Sequence, residues 1–587
     1  MASDGKDSGT GAHRLLAGGR AEVLCALMLA VMAAQMLLVI RQKSITVDEW
    51  VLIPAGYYHL TEGDFRPVNE HPPFAKILSA LPLLTSGAVA PPIDPAPRHD
   101  YGYFLGLFSQ FWHSNAERLD TLAFWARVPA VMTTLLLGAL VFHFARRHWG
   151  ARAALFATLL FTLEPTVLAH GRVVQTDIPS ALSLLLFAFA LYEYLKGPTA
   201  ARAALVGLCA GLAAVTKFSM IVLGPLLLLL MAALLVFAPR RGLRRASVAG
   251  HAVALGVAAV LAVNAAYLFR NRAPEPLDEA LRRLVVPAGA SESLRAPLEF
   301  GYLALQKIFP ADFIYGIGWQ LGHAHEGHAA GLLGEHSQHG WWYYFPVAFA
   351  LKTTLPFLLL SAAALLWAVL SLRRGADGRV LVLVLPAALF TALLMMSTIN
   401  IGVRYMLPAY PFLCILCGAF LDRVMVKKKH QLVLGSLVVA APLAWAGVEA
   451  VRAYPDHMSY TNQLTRGAPD WWHLSDSNVE WGDDVRPLAL YLRERGERRV
   501  GAALLNWQLL ELYGLEMAAV FVPPGEARED VRYVAIGASL LNGSTVPGGF
   551  DNGVRLSEEE RVNYFDEFRR REPEKVFGNS IYLYRMK

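Results

Sequence analysis

Long apolar runs recur along the chain and are separated by shorter polar segments. The first run covers residues 22–40, close to the roughly 20 residues that an α-helix needs to cross a bilayer. No small-residue cleavage signal follows it, so we expect an uncleaved first span. Ten further runs bring the number of candidate membrane spans to eleven, at 124–145, 153–168, 178–195, 203–216, 219–238, 248–269, 344–370, 380–397, 404–421 and 431–450. This pattern predicts a polytopic α-helical membrane protein.

Clusters of arginine and lysine indicate which side of the membrane each connection faces. Short cytoplasmic connections carry an excess of these residues. The apolar segment 74–90 would invert every later connection if it crossed the bilayer, so we predict that it is a helix lying on the outer surface. With the basic tail 1–21 in the cytoplasm, all of the basic connections then face the cytoplasm as well, at 146–152, 196–202, 240–245, 373–379 and 423–429.

The eleven predicted spans divide the chain into three parts. These are a cytoplasmic tail, 1–21, a transmembrane domain, 22–450, and an outer domain, 451–587. The transmembrane domain carries two long outer loops, at 41–123 and 270–343. In the outer domain charges are frequent and apolar runs shorten to strand length. We expect a small α/β fold there, with an amphipathic helix at 486–495 and strands at 500–505, 531–536 and 581–584.

Composition agrees with a membrane protein. Of the 587 residues 55% are hydrophobic and only 17% are charged, against roughly 25% charged in ordinary soluble domains. The formal net charge of +6 is modest and unevenly placed, so it reports topology and gives no reason to expect nucleic-acid binding. All 4 cysteines lie inside apolar runs, where buried thiols are expected and disulfides are not.

Acidic residues collect at the outer ends of the predicted spans. Asp48, Glu49 and Glu70 follow the first span, and Asp177 begins the fourth. Carboxylates beside lipid are costly and therefore indicate function. Asp177 has an equally good alternative as a helix N-cap, because it precedes Ile178 and a proline.

Cations lie at the same predicted face, against the positive-inside bias. They are Lys217, Lys352 and Arg404. Each has a simple explanation as a long side chain reaching the lipid headgroups. Together they also suit the phosphate of a polyprenyl-phosphate lipid. Carboxylates and cations at one membrane face favour sugar transfer, because an Asp can accept the proton of an attacking hydroxyl while cations stabilise the departing phosphate.

Several motifs resemble one known group of membrane enzymes. The group comprises the bacterial relatives of protein O-mannosyltransferases in the GT-C clan, which includes the aminoarabinose transferase of lipid A (bacterial phospholipid carrier-dependent glycosyltransferases, family 39-like). The similar motifs are Val47-Asp48-Glu49, Gly56-Tyr57-Tyr58, Gly63-Asp64-Phe65, Glu70-His71-Pro72-Pro73, His170-Gly171-Arg172, Thr176-Asp177-Ile178-Pro179, Thr216-Lys217-Phe218, Gly340-Trp341-Trp342, Arg404-Tyr405-Met406-Leu407-Pro408 and Asp476-Ser477-Asn478 with Trp481-Gly482.

The resemblance implies a GT-C type fold and assigns roles to residues. Asp48, the first residue of the Asp-Glu pair, is expected to be the catalytic base. The other carboxylates would shape the acceptor or donor site or support a metal, and the cations would approach the lipid phosphate. These residues are Glu49, Glu70 and Asp177 for the carboxylates, and Lys217, Arg404, Arg172 and Lys352 for the cations.

A histidine-rich stretch lies in the second outer loop. Imidazole suits zinc and similar ions, so a divalent metal held by His328 or His325 with Glu70 is one interpretation. The spacing matches no standard metal site. The alternative is a solvated loop whose histidines titrate freely.

These observations predict an inverting glycosyltransferase that moves a sugar from a polyprenyl-phosphate donor to a hydroxyl acceptor on a protein, glycan or lipid of the cell envelope. Its active site would face outward from the cytoplasmic (inner) membrane. The alternative is a transporter or flippase of envelope lipid or glycan precursors, and a third interpretation is a non-catalytic scaffold. Transporters place charges near the bilayer midplane on repeated halves, whereas here the charges collect at outer ends and the sequence shows no repeat.

Overall fold

A computed structural model describes residues 19–94, 101–270, 291–374, 378–427 and 432–586. Most of the predicted cytoplasmic tail, parts of both outer loops and the end of the last basic connection, including Lys428 and Lys429, lie outside the described residues.

Eight helices in the described residues are long and apolar enough to cross a membrane, and a ninth results if one bent pair is counted as a span. The pair, Ala151–Leu163 and Pro165–Gly171, is bent by 67°. The chain is therefore a multi-span helical membrane protein, as predicted. The eight helices are Arg20–Ile40, Ala116–Trp149, Asp177–Lys196, Phe218–Phe237, Arg245–Ala266, Leu355–Leu372, Gly378–Met395 and Val403–Met425.

Every one of the eleven predicted spans contains a helix, but some are shortened by breaks. The predicted span 344–370 is two helices, Tyr344–Lys352 and Leu355–Leu372, because Pro356 opens a new helix after the extended residue Thr353. Other helices outside the eight are Val47–Thr61, Pro73–Ala80, Tyr101–Ser114, Ala200–Thr216, Glu292–Leu305, Ala311–Glu326 and Leu432–Arg452.

The segment 74–90 does not cross a membrane by length. Its α-helix, Pro73–Ala80, has 8 residues and continues as a short 3-10 turn, Leu81–Thr85. It packs closely on the helix Val47–Thr61, where a Cβ atom added to Gly56 would lie 2.0 Å from the carbonyl oxygen of Lys76. This contact holds the loop that contains Glu70 against the first outer helix.

The tail folds as a small α/β unit, as predicted. Its five-stranded sheet has the spatial order β4 (Glu516–Ala519), β3 (Arg499–Ala503), β5 (Tyr533–Gly537), β7 (Ile581–Arg585) and β6 (Lys575–Phe577). The helix Val485–Glu494 buries Val485, Leu488, Ala489 and Leu492, which confirms the amphipathic pattern. The sequence pattern did not predict β4 or β6. A separate hairpin, formed by β1 (Ala330–Leu332) and β2 (Glu335–Ser337), lies in the second outer loop.

The tail and the first outer loop share one hydrophobic core. Trp50, Phe108 and Phe111 from the loop pack in the same cluster as Leu488 and Leu509 from the tail. Backbone hydrogen bonds also join the two parts, from Val47 to Trp481 and from Ser44 to Asp483, both at 2.9 Å. The tail is therefore held against the outer loop.

Candidate active site

Asp48 lies in the first turn of the helix Val47–Thr61. Thr46 caps this helix by accepting a hydrogen bond from the Glu49 N–H, and the Glu49 carboxylate accepts one from the Thr46 N–H. This capping box fixes the first turn. Asp48 Oδ2 accepts a hydrogen bond of 2.6 Å from Arg404 Nη1, and the two side chains are 19% and 7% exposed. This ion pair thus joins the candidate base, Asp48, to a cation, Arg404, that is far away in the sequence.

The Asp48 carboxylate is ionised at neutral pH. Burial by itself would raise its pKa, but the charge and hydrogen bond of Arg404, with smaller contributions from nearby His71 and the Trp481 N–H, outweigh burial, so the pKa lies below its usual range. A carboxylate in this state accepts protons and hydrogen bonds, which a general base must do.

A second ion pair, between Lys217 and Asp177, lies beside the first. The Lys217 Nζ atom is 3.6 Å from the centroid of the Tyr405 ring, and the Arg404 Cζ atom is 5.6 Å from the same centroid. Tyr405 therefore bridges the two cations. We call Asp48, Arg404, Lys217, Asp177 and Tyr405 the Asp48 cluster.

Two buried polar atoms of the Asp48 cluster have no hydrogen-bond partner among the described residues. They are Nε of Arg404 and Oδ2 of Asp177. Buried polar atoms are nearly always paired, so each needs an explanation. One donor and one acceptor left open in a charged cluster suit a polar ligand.

An apolar cavity of about 390 Å³ opens beside the Asp48 cluster. Its polar end is formed by Glu70, His71, Lys217 and Tyr405. Its remaining wall comes from helix Ala311–Glu326, helix Gly378–Met395 and the turn after Lys217. The apolar lining residues are Phe218, Ile221, Val222, Ile317, Leu321, Phe390, Leu393, Leu394 and Ile399.

The polar end of the apolar cavity holds two groups whose pKa values are shifted by burial toward the neutral form. Burial raises the pKa of the Glu70 carboxyl, and the nearby charge of Asp48 raises it further, against the opposing effect of Lys76. Burial lowers the pKa of His71 to about 4, and the cations around it outweigh the opposing charge of Asp48. His71 is therefore neutral at pH 7. The backbone oxygen of Glu70 accepts a hydrogen bond of 2.9 Å from Gln320, which ties the loop to the cavity wall.

Glu49 is adjacent to Asp48 in sequence but lies outside the Asp48 cluster. It is completely buried and pairs with Arg127, with distances of 2.7 Å to Nε and 2.6 Å to Nη2. Its oxygens also accept hydrogen bonds from the backbone N–H groups of Thr46 and Val174. A carboxylate with this many donors is fully occupied. Its surroundings are those of a residue that holds the loop in place.

Arg172 and Lys352 also lie outside the Asp48 cluster. Arg172 is buried and donates to Asp483 of the tail at 2.8 Å. Lys352 is buried and donates to the backbone oxygens of Met458 and Asn478. Both cations therefore connect the membrane helices to the tail, and neither lines the apolar cavity.

The predicted metal ligands are not assembled. Among the described residues, which include Glu70, His325 and His328, no three His, Cys, Asp or Glu side chains are grouped to hold a metal ion. His328 instead lies 3.3 Å from His323 and 3.9 Å from Asp476. Glu70 lies at the apolar cavity. The residues present do not fit a divalent metal site.

The structure adds residues that the sequence did not assign. Tyr405, Trp481 and His71 belong to quoted motifs, but the sequence analysis assigned them no role. All three contact or face Asp48 or Arg404. The sequence signal that marks them is their place in these motifs: Tyr405 follows Arg404, His71 follows Glu70, and Trp481 follows Asp476-Ser477-Asn478.

Comparisons with protein-family models, curated proteins and solved structures show which known proteins this chain resembles. No curated protein matches it. Among solved structures it is similar to ArnT from Cupriavidus metallidurans bound to undecaprenyl phosphate, with 15% identity, a TM-score of 0.44, and coverage of 87% of this chain and 92% of that one. It is also similar to the oligosaccharyltransferase AglB from Archaeoglobus fulgidus in complex with an inhibitory peptide and a dolichol-phosphate, with 12% identity, a TM-score of 0.45, and coverage of 87% and 69%.

Two segments of the chain match protein-family models. Residues 118–267 match the dolichyl-phosphate-mannose-protein mannosyltransferase family, and residues 331–465 match the Alg9-like mannosyltransferase family. The first segment contains Asp177 and Lys217, and the second contains Arg404. The two matches confirm the resemblance carried by the motifs: this chain is similar to the membrane glycosyltransferases of the GT-C clan.

Proposed function

We propose that this protein is an inverting glycosyltransferase that uses a polyprenyl-phosphate sugar as donor and a hydroxyl group of a protein or envelope glycan or lipid as acceptor. The observation that carries the proposal is the Asp48–Arg404 ion pair beside an apolar cavity whose polar end holds Lys217. An ionised carboxylate, two cations and an apolar wall meet in one place.

The apolar cavity has the chemistry of a lipid-phosphate site. An isoprenoid chain is apolar and would lie along the side chains of Phe390, Leu393 and Leu394. Its phosphate would lie at the polar end, near Lys217 and the open Nε atom of Arg404. Arginine and lysine bind phosphate through charge-assisted hydrogen bonds. The first matched family is named for a dolichyl-phosphate-mannose donor, which supports the same donor class.

The reaction would be a single displacement at the anomeric carbon. Asp48 accepts the proton of the acceptor hydroxyl, the hydroxyl oxygen bonds to the anomeric carbon, and the bond from that carbon to the phosphate oxygen breaks. The electron pair leaves with the lipid phosphate, whose charge Arg404 and Lys217 stabilise. One displacement inverts the configuration at the anomeric carbon.

The proposal includes a location. The N-terminus would lie in the cytoplasm and the Asp48 cluster and tail would face outward from the cytoplasmic membrane. The basic connections support this orientation. Residues 451–587 would form the outer domain, although its core is continuous with the first outer loop.

Transfer of a sugar from a polyprenyl-phosphate donor, measured with purified protein, tests the proposal. We expect Asp48→Asn to lower kcat by about 10²–10⁴-fold, because an amide cannot accept the proton. Asp422→Asn is the matched control, since Asp422 pairs with Arg152 at 2.7 Å but lies at the other end of its helix, away from Arg404. Undiminished transfer by Asp48→Asn would contradict the assignment of the base, and solute uptake without transfer would favour a transporter.

A further inference from the structure

Trp481 connects the tail to the Asp48 cluster. It lies between the turn Asp476–Asn478 and the helix Val485–Glu494, and its side chain is 2% exposed. Its backbone oxygen accepts a hydrogen bond of 2.9 Å from the N–H of Val47, the residue before Asp48. The tail therefore touches the first turn of the helix that presents Asp48.

The Trp481 side chain contacts both members of the central ion pair. The Arg404 Cζ atom lies 4.3 Å from the centroid of the ring, a cation–π distance. The indole N–H, which is only a donor, is close enough to the Asp48 carboxylate to lower its pKa. The ring of His170 lies 5.7 Å away on another side. One side chain thus fixes the positions of the anion and the cation together.

The segment that carries Trp481 is itself firmly held. Gly482 has φ +88°, and an added Cβ would lie 2.4 Å from Asn506. The Ser44 hydroxyl donates to the Gly482 oxygen at 2.8 Å. The next two residues form buried ion pairs with the membrane region, Asp483 with Arg172 and Asp484 with Lys43. Trp481 therefore sits on a rigid support.

We propose that Trp481 is a positioning residue of the active site, which holds Asp48 and Arg404 in the arrangement that transfer requires. The tail then contributes a residue, Trp481, to the catalytic centre. This inference rests on the proposed function, because it concerns the same reaction. It assigns no contact between Trp481 and the lipid, because Trp481 does not line the apolar cavity.

Two variants separate the contacts of Trp481. Trp481→Phe keeps an aromatic face for Arg404 and removes the N–H donor to Asp48. Trp481→Leu removes both. Trp507→Phe is the matched control, because Trp507 belongs to the tail and is 46% exposed. Thermal unfolding of each variant reports whether the protein is folded.

For Trp481→Phe we expect kcat to fall about tenfold, with the KM for the donor changed by no more than about twofold, because the apolar cavity is intact. Trp481→Leu should lose more, since Arg404 also loses its aromatic partner. Trp507→Phe should behave as wild type.

The pH profile supplies a readout that a purely structural role would not change. The Trp481 N–H favours ionised Asp48, so its removal raises the pKa of Asp48. The base must be ionised, so the acidic limb of kcat should move to higher pH in both Trp481 variants. Many other titratable or charged groups face Asp48 and stay in place: Arg404, Lys217, His71, Glu70, Tyr101 and Tyr405.

Wild-type kcat and an unmoved acidic limb in Trp481→Phe would overturn the inference. A loss of activity that equals the loss of folded protein, with the acidic limb unmoved, would overturn it as well. Failure of the proposed function looks different, because then the wild type itself transfers no sugar from the donor.

Discussion

At the scale of single residues, two adjacent carboxylates have opposite surroundings. Asp48 pairs with Arg404 in the Asp48 cluster and retains partial exposure, whereas Glu49 is completely buried and is enclosed by Arg127 and backbone N–H groups. The helix start explains the difference, because Glu49 is the third residue of the helix and closes the capping box by folding back on Thr46. Asp48 is left to face the site.

Glu49 should therefore matter to stability. Glu49→Gln leaves Arg127 completely buried without its anion, which typically costs about 3–5 kcal/mol. We expect a clear fall in the thermal unfolding temperature in detergent. Glu516→Gln serves as the control, because the Glu516–Arg499 pair is exposed and such pairs contribute about 0–1 kcal/mol. Equal effects of the two substitutions would contradict the structural role of Glu49.

At the scale of elements, breaks in the helices build the Asp48 cluster. The helix Ala200–Thr216 ends at Lys217, and extended backbone there presents the lysine to Asp177. The 3-10 segment Val403–Ala409 similarly presents Arg404 and Tyr405. Irregular backbone at membrane depth is tolerated where it is buried in protein or lines a cavity. These two breaks supply both cations of the Asp48 cluster.

The apolar cavity should decide donor affinity. Leu394 is 7% exposed and lines it, so Leu394→Trp would fill space that the isoprenoid chain is proposed to occupy. We expect the KM for a long-chain donor to rise at least about tenfold with little change in kcat, since apolar contact contributes to ground-state binding. Leu385→Trp, on the same helix at 46% exposure, should leave KM unchanged. An unchanged KM in Leu394→Trp would place the lipid elsewhere.

At the scale of the whole molecule, the tail and the first outer loop form one unit over the membrane helices. They share a hydrophobic core, and buried ion pairs from Lys43 and Arg172 reach Asp484 and Asp483. Removing one member of a buried pair is costly, so the two parts stabilise each other. The active site lies where this unit meets the helix breaks.

Orientation in the membrane can be tested with two reporters. Five predicted spans separate the connection at Arg244 from the tail, and an odd number of crossings places the two on opposite sides. We expect a reporter at Arg244 to be cytoplasmic and one at the exposed turn of Gly525 to be outside. Both reporters on one side would contradict the eleven-span count, and a reversed pair would contradict the location of the active site.

Much of this architecture can be predicted from the sequence. The need for about 20 apolar residues per crossing acts on contiguous segments, so the spans can be read from apolar runs. Strand-length alternation likewise predicted β3, β5 and β7 of the tail. The segments that bear Asp48, Glu70, Asp177, Lys217 and Arg404 could be assigned to one face by counting crossings, and the structure brings all five side chains to the same region.

The sequence by itself determined the membrane class, the order of the spans and the chemical types gathered at one face, because these depend on local composition. Only the tertiary structure decided which groups touch. Asp48 pairs with Arg404, which lies 356 positions away in the sequence. Trp481, which contacts Arg404, belongs to the tail. Such contacts depend on how distant segments pack, and packing also determined that Glu49, Arg172 and Lys352 have their partners outside the Asp48 cluster.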